Sequence, residues 1–132
     1  KVPDADTEIV LADTMGDLGL FYRLVPFAFI GNSLVKTPGG GHNPFEALQC
    51  GCIPICGPYM DNFGHMTRDM VDFNTLKPIT DEDHLAACLT AWLENPEAVD
   101  GLHVSAKGFM AKTETVMADM LHHLKPVLRA VL

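Results

Sequence analysis

The sequence has few basic residues. Lysine and arginine together number 9, against 17 aspartates and glutamates, and the formal net charge is −8. Proteins that bind nucleic acid broadly need lysine and arginine to contact the phosphates, so this balance argues against such a partner. It does not exclude a local anion site built from backbone groups.

Long apolar runs and targeting signals are also missing. No apolar run approaches the ~20 residues that span a membrane, and the chain starts at Lys1 with no signal-peptide pattern. Its first residues have the composition of a loop, so we expect a piece of a longer protein. The 132 residues are enough for a buried core, and residues 1–132 are predicted to form a single domain.

Cysteine is scarce, and its spacing is unlike that of a structural zinc site. Cys50, Cys52 and Cys56 are spaced C-x-C-x3-C instead of in CxxC pairs, and Cys88 stands apart. The first three flank an apolar segment, where cysteine behaves as a small hydrophobe. We predict buried, reduced thiols in preference to a metal site or a disulfide, as is typical of the cytoplasm.

Short apolar runs alternate with helical patterns along the first part of the chain. Strands are predicted at residues 8–12, 27–30 and 53–56, with a weaker extended stretch near 76–79. Helices are predicted at residues 17–24, 44–50 and 62–71. This alternation indicates an α/β fold, with a Rossmann-like open parallel sheet and flanking helices.

The rest of the chain is predicted to be a helical tail. A helix capped near Asp81 runs to about residue 94, and Asn95-Pro96 ends it. A further helix follows, with a kink predicted at Gly101 or Gly108, and a final helix covers residues 113–124. The apolar stripe of that last helix is predicted to pack in the core; it comprises Val116, Met117, Met120 and Leu121.

A glycine triplet at residues 39–41 leads into a predicted helix start. Asn43 suits the N-cap, Pro44 the first helical position and Glu46 the third, as in a capping box. Such a loop can offer backbone N–H groups to an anion, typically phosphate. Glu46 could also accept hydrogen bonds from a sugar. The alternative is an ordinary capped helix after a flexible loop.

Three predicted strand ends carry unusual residues. These are residues 13–17, residues 31–33 together with the glycine triplet, and residues 57–62. Ligands of open α/β sheets bind at the carboxyl ends of the strands, where these segments should converge. The pattern therefore indicates a nucleotide or sugar-phosphate site.

Four segments, in their order and spacing, resemble the 3-deoxy-D-manno-octulosonic acid (Kdo) transferases. They are DTMGDL at 13–18, FIGNSLV at 29–35, GGHNPFE at 40–46 and GPYMDNF at 57–63. The resemblance covers residues 10–93 and implies part of the carboxyl-terminal domain of a GT-B glycosyltransferase. Such an enzyme transfers Kdo from CMP-Kdo to the lipid A precursor of lipopolysaccharide, at the cytoplasmic face of the bacterial inner membrane.

The resemblance also implies which of two domains binds the donor and which supplies the acceptor and the general base. The carboxyl-terminal domain holds CMP-Kdo as the donor substrate, without a metal or other cofactor. The missing amino-terminal domain brings the lipid acceptor, the membrane contact and the general base. This chain should therefore contain no catalytic residue and should be inactive alone.

The resemblance also implies a role for individual residues, assigned by matching each motif position to the family. Gly40, Gly41, His42 and Asn43 would hold the CMP phosphate or the sugar carboxylate, and Glu46 the ribose hydroxyls. The remaining donor-site residues would be Met15, Gly16 and Asp17 at the edge of the nucleotide, and Asn32 and Ser33 on the floor of the cleft. Residues 61–63 form a further loop on the same edge.

The sequence departs from the family pattern in several places. Asp17 stands where the family usually has Glu, Asn32 where it has Gly, and Ala47 where it has Pro. Asn tolerates the left-handed backbone region, so the turn at Asn32 is expected to survive. Two other functions stay open: another GT-B or sugar-nucleotide enzyme such as an epimerase, and a non-catalytic α/β binding module.

Overall fold

A small parallel sheet forms the centre of the molecule. The computed structural model describes residues 4–131, and the side chains of residues 4–126. The sheet has the order β1-β2-β3, where β1 is Phe27–Phe29, β2 is Ile53–Cys56 and β3 is Lys77–Pro78. Phe27 pairs with Ile53, and Ile55 pairs with Lys77, both in parallel. Parallel neighbours need a crossover connection, and helices supply it here.

Helices flank this sheet and form the tail of the chain. They are α1 Leu18–Leu24, α2 Pro44–Gln49, α3 Gly64–Asp72, α4 Glu82–Glu94 and α5 Asp100–Val131. Short 3-10 turns precede α3 and α5, at Asp61–Phe63 and Pro96–Val99. The predicted fold class, an open parallel sheet with flanking helices and a helical tail, is confirmed.

The core lies around β2, the middle strand. All four of its residues are buried, and Leu48 of α2, Met70 of α3 and Leu102 of α5 are buried in the same cluster. Trp92 of α4 meets Phe27 of β1 edge to face, with ring centroids 5.0 Å apart. A strand with apolar residues on both faces is what a sheet covered by helices requires.

Two predicted helix starts are confirmed. The Asn43 side chain accepts a hydrogen bond from the Phe45 amide at 3.0 Å, and Pro44 occupies the first turn of α2. Asp81 caps α4 by accepting from the His84 amide at 2.8 Å. These bonds satisfy amides that a helix start leaves without partners. Asp81 also accepts a hydrogen bond from the Thr80 hydroxyl. This bond, and then the bond from the His84 amide, hold the pKa of Asp81 below its usual value.

The strand predicted at residues 8–12 is wrong. This segment has no regular structure, and Ile9 and Leu11 are each 88% exposed. A strand gains its hydrogen bonds from a neighbour, and β1 pairs only with β2 within the described residues. The apolar run therefore has no ladder partner and no buried face.

The predicted division of the carboxyl-terminal region into two helices is also wrong. A single helix, α5, runs from Asp100 to Val131 and includes both Gly101 and Gly108. A helical glycine costs only about 1 kcal/mol relative to alanine. The good helix formers around these two positions outweigh that cost, and Pro126 lies in the final turns.

The stripe predicted to pack in the core is exposed. Met117 is 57% exposed and Met120 is 55% exposed, and Val116 and Leu121 are similar. The described core along α5 reaches only to Ala106, Phe109 and Met110. No residue of α5 after Met110 belongs to this described core. Helical periodicity therefore identified an apolar face correctly, but that face is not buried.

Candidate functional site

Two loops meet at the carboxyl edge of the sheet. One follows β1 and contains the glycine triplet, and the other follows β2. The Tyr59 amide donates to the Ser33 carbonyl at 3.0 Å, and the Gly41 amide donates to the Tyr59 carbonyl at 2.8 Å. Two of the three segments predicted to converge, residues 31–33 with the triplet and residues 57–62, therefore do so, whereas residues 13–17 do not line the cleft between them.

Glycine is required in the triplet because the two loops are in close contact. Gly40 has φ +66°, and a Cβ there would lie 2.6 Å from the Tyr59 carbonyl oxygen. At Gly41 a Cβ would collide with the Met60 sulfur and the Ser33 Cβ. Glycine is therefore needed here first of all because the loop after β2 lies so close to the backbone of the triplet.

The loop amides already have partners inside the protein. Gly40 donates to the Thr37 carbonyl at 3.1 Å, Gly41 to Tyr59, and His42 to the Gly31 carbonyl at 3.3 Å. A cradle made of these three N–H groups would have to break existing bonds. Side chains along the loop are therefore better placed than its backbone to contact an anion.

Asn32 occupies the left-handed region, with φ +64°. Its side-chain amide donates to the Gly40 carbonyl at 2.9 Å. This bond connects the end of β1 to the segment around the glycine triplet, residues 37–43, which we call the glycine loop. The expectation that asparagine would preserve a turn where the family usually has glycine is confirmed.

The start of α2 presents a carboxylate beside the loop. Glu46 is exposed, and its Oε1 accepts from the Asn43 side-chain amide at 3.2 Å. The capping box is therefore modified: Glu46 binds the side chain of the N-cap residue instead of its backbone N–H. This bond orients Glu46 and leaves its other oxygen available to a ligand.

These features line a cleft of about 510 Å³, which we call the donor cleft. Six predicted site residues line it: Asn32, Gly40, Gly41, His42, Asn43 and Glu46. The other lining residues are Leu18, Tyr22, Pro38, Gly39, Asn62 and Phe63. The lining combines amide, imidazole and carboxylate groups with aromatic rings, which suits a polar ligand that carries a base or sugar.

The other four predicted site residues lie outside this lining. Met15, Gly16 and Asp17 precede α1, and Met15 is 98% exposed. Ser33 is fully buried; its hydroxyl donates to the Ile30 carbonyl at 2.6 Å and accepts from the Gly57 amide at 2.9 Å. Ser33 thus joins the two loops beneath the cleft.

Sequence reasoning missed Tyr22 as a cleft residue. Tyr22 stands four residues after Leu18, and this spacing is typical of an apolar helix face that packs in the core. Its ring nevertheless stands in the cleft wall near Glu46. Burial, and then the nearby Glu46 charge, raise the pKa of the Tyr22 phenol above its usual value. The signal in the sequence that could have identified Tyr22 as a cleft residue was its hydroxyl group on an otherwise apolar helix face.

The cysteines are free thiols, as predicted. Cys52, Cys56 and Cys88 are buried and Cys50 is half-buried. Burial raises the pKa of the Cys52 and Cys56 thiols to about 12. Over the described residues, no three His, Cys, Asp or Glu side chains are grouped so as to hold a metal ion. Nor does that part of the chain contain a helix with the length and apolarity to cross a membrane.

Comparison with known proteins identifies relatives across the chain. A 3-deoxy-D-manno-octulosonic acid transferase of Haemophilus influenzae is 32% identical over 129 residues, or 97% of this chain. A probable mitochondrial 3-deoxy-D-manno-octulosonic acid transferase of Arabidopsis thaliana is 34% identical over 76% of the chain. The chain spans only 30% and 23% of these two relatives. No protein-family model matches it.

A solved structure supports the same relationship. The crystal structure of the C-terminal CMP-Kdo binding domain of WaaA from Acinetobacter baumannii is similar, with a TM-score of 0.68 and 33% identity. The match covers 75% of this chain and 51% of that one. The chain therefore belongs to the Kdo transferase family and matches part of its carboxyl-terminal domain.

Proposed function

We propose that the donor cleft binds CMP-Kdo, and that the chain is the donor-binding part of a Kdo transferase. The observation that carries this proposal is that six predicted site residues, from two separate segments of the sequence, line one cleft. The similarity to the C-terminal CMP-Kdo binding domain of WaaA supports it. The whole enzyme would transfer Kdo from CMP-Kdo to the lipid A precursor in lipopolysaccharide biosynthesis.

Four polar side chains of the cleft have a role in this proposal. The free oxygen of Glu46 accepts hydrogen bonds from the ribose hydroxyls. His42 and the second N–H of the Asn43 side-chain amide, whose first N–H donates to Glu46, donate to the phosphate. Asn32 holds the Gly40 carbonyl and thereby keeps the glycine loop in place. The backbone N–H groups of Gly40, Gly41 and His42 already donate hydrogen bonds within the protein. The phosphate is therefore bound by side chains.

The proposal assigns the chemical step to a different domain. Within the described residues, Glu46 is the one carboxylate that lines the cleft, and it binds ribose. The general base and the lipid acceptor belong to the amino-terminal domain, which also places the enzyme at the cytoplasmic face of the inner membrane. The chain alone then gives no Kdo transfer, and the whole enzyme keeps its activity in EDTA because no metal takes part.

A nucleotide titration tests the proposal. The isotope-labelled chain is titrated separately with CMP, UMP and AMP while its amide chemical shifts are followed. We expect selective shifts at residues 40–46 with CMP. A preference for uridine or adenosine nucleotides would instead favour another sugar-nucleotide enzyme. No shifts with any of the three would favour a non-catalytic module and refute the proposal.

A further inference from the structure

The glycine loop is joined to its surroundings by hydrogen bonds of two kinds. Backbone bonds join Gly41 to the loop after β2 and His42 to the segment after β1. The Gly40 carbonyl, in contrast, accepts its bond from the side-chain amide of Asn32, at 2.9 Å. A substitution at residue 32 can therefore remove this bond and leave the backbone bonds of the loop in place.

Asn32 itself extends from an anchored backbone. The carbonyl of the residue before it, Gly31, accepts from the His42 amide at 3.3 Å. The residue after it, Ser33, is fully buried, and its hydroxyl accepts from the Gly57 amide at 2.9 Å. Both neighbours of Asn32 are thus bonded to other segments. A side chain that orients another part of a site needs such a fixed base.

The segment bonded to Asn32 is intrinsically flexible. Gly39 has φ +88°, Gly40 has φ +66°, and residue 41 is also glycine. Glycine loses more conformational freedom on folding than any other residue. A bond that restricts these glycines before a ligand arrives removes part of the entropic cost of binding. The bond from Asn32 is therefore expected to matter for ligand affinity.

The restrained segment leads directly into the residues assigned to the phosphate. His42 and Asn43 follow the triplet in the sequence. They line the same cleft of about 510 Å³ as Asn32 and Gly40. The path of the backbone at Gly40 determines where the next residues begin. The bond from Asn32 therefore also restrains the residues after the triplet.

We propose that Asn32 is a positioning residue of the donor cleft. Its bond to the Gly40 carbonyl holds the ligand-free glycine loop in the conformation that binds the nucleotide. This inference rests on the proposed function of the cleft. Because Asn32 acts through the loop, its loss lowers nucleotide affinity while the contacts of the bound state stay the same.

The first measurement needs no ligand. Hydrogen exchange of the Gly41 and His42 amides is followed in the unmodified chain and in Asn32→Gly, which tolerates the positive φ and loses the side chain. The matched control is Asn74→Gly, because Asn74 has φ +53° but lies between α3 and β3, outside the lining of the cleft. We expect exchange to be about fivefold faster in Asn32→Gly, the loss for one hydrogen bond, and within about twofold in the control.

The second measurement is CMP binding by the same three proteins. We expect Asn32→Gly to raise the dissociation constant for CMP about fivefold, and Asn74→Gly to change it by less than about twofold. Saturating CMP should change the amide shifts of residues 43–46 equally in Asn32→Gly and in the unmodified chain, since the bound loop is the same. A different bound spectrum would mean that Asn32 contacts CMP directly, and would overturn the positioning role.

A second variant separates the hydrogen bond from the shape of the side chain. Asn32→Asp has a similar size and tolerates the left-handed region, but an ionised carboxylate cannot donate. Its ligand-free loop should exchange as fast as that of Asn32→Gly, and an unmodified rate in either variant would refute the inference. An amide spectrum checks that each variant is folded.

The outcomes also separate this inference from the proposed function. If the unmodified chain does not bind CMP, the proposed function fails and the positioning role fails with it. If the unmodified chain and Asn32→Gly bind CMP with equal affinity, the donor cleft stands and only the positioning role is refuted.

Discussion

The glycine loop and the carboxyl-terminal half of α5 are built in opposite ways. The loop has little regular structure, yet Gly40 and Gly41 are buried and its amides are bonded within the protein. The half-helix is fully regular, yet Met117 and Met120 are more than half exposed. Regular structure and tight packing are therefore separate properties, and the donor cleft depends on the second.

The largest effect should come from adding a methyl group to the loop. Gly40→Ala would force a left-handed alanine against the Tyr59 carbonyl, so we expect a loss of about 3 kcal/mol in the free energy of unfolding. Denaturant titration measures it. The control, Gly108→Ala on α5, has open space around it and should gain up to about 1 kcal/mol. Similar stabilities for the two variants would contradict the proposed loop packing.

A somewhat smaller loss should follow from removing the hydroxyl beneath the cleft. Ser33→Ala leaves the Ile30 carbonyl and the Gly57 amide without their side-chain partner, and we expect about 2 kcal/mol of destabilisation. Ser105→Ala is the control, since its hydroxyl bonds only to its own exposed helix; it should change stability by less than about 0.5 kcal/mol. Thermal unfolding of both variants decides whether Ser33 joins the loops.

The third effect concerns binding and not stability. Glu46→Ala removes the charged acceptor for the ribose hydroxyls, so CMP affinity should fall by about 1–3 kcal/mol. Stability should change little because Asn43 still caps α2. Gln49→Ala, one turn further along the same helix, is the control and should bind CMP normally. Calorimetry that finds equal affinity in a folded Glu46→Ala variant would remove Glu46 from the site.

The smallest effect should appear on the exposed face of α5. Met120→Gln should change stability by less than about 0.5 kcal/mol, because the side chain is 55% exposed. Met70→Ala, at a fully buried position of α3, should cost about 3 kcal/mol. Equal losses for the two would mean that the α5 stripe packs in the core after all. Chemical denaturation of both variants provides the comparison.

Sequence reasoning succeeded where the signal is local. The Asn43 and Asp81 caps and the turn at Asn32 each depend on a few neighbouring residues. It failed for the strand at residues 8–12 and for the burial of Met117, because an apolar pattern says nothing about whether a partner surface exists. It missed Tyr22 because a residue on an apolar helix face can still border a cleft.

By itself, the sequence determined the alternation of strands and helices from α1 to α4, the helix starts, and two of the three segments that were predicted to meet at one sheet edge. Only the tertiary structure decided which partners the groups at that edge find. Ser33 is buried against Gly57, 24 residues away, and the Gly41 amide bonds to Tyr59 in the loop after β2. The physical reason is range: caps and turns depend on adjacent residues, whereas a buried hydrogen bond depends on where distant segments meet.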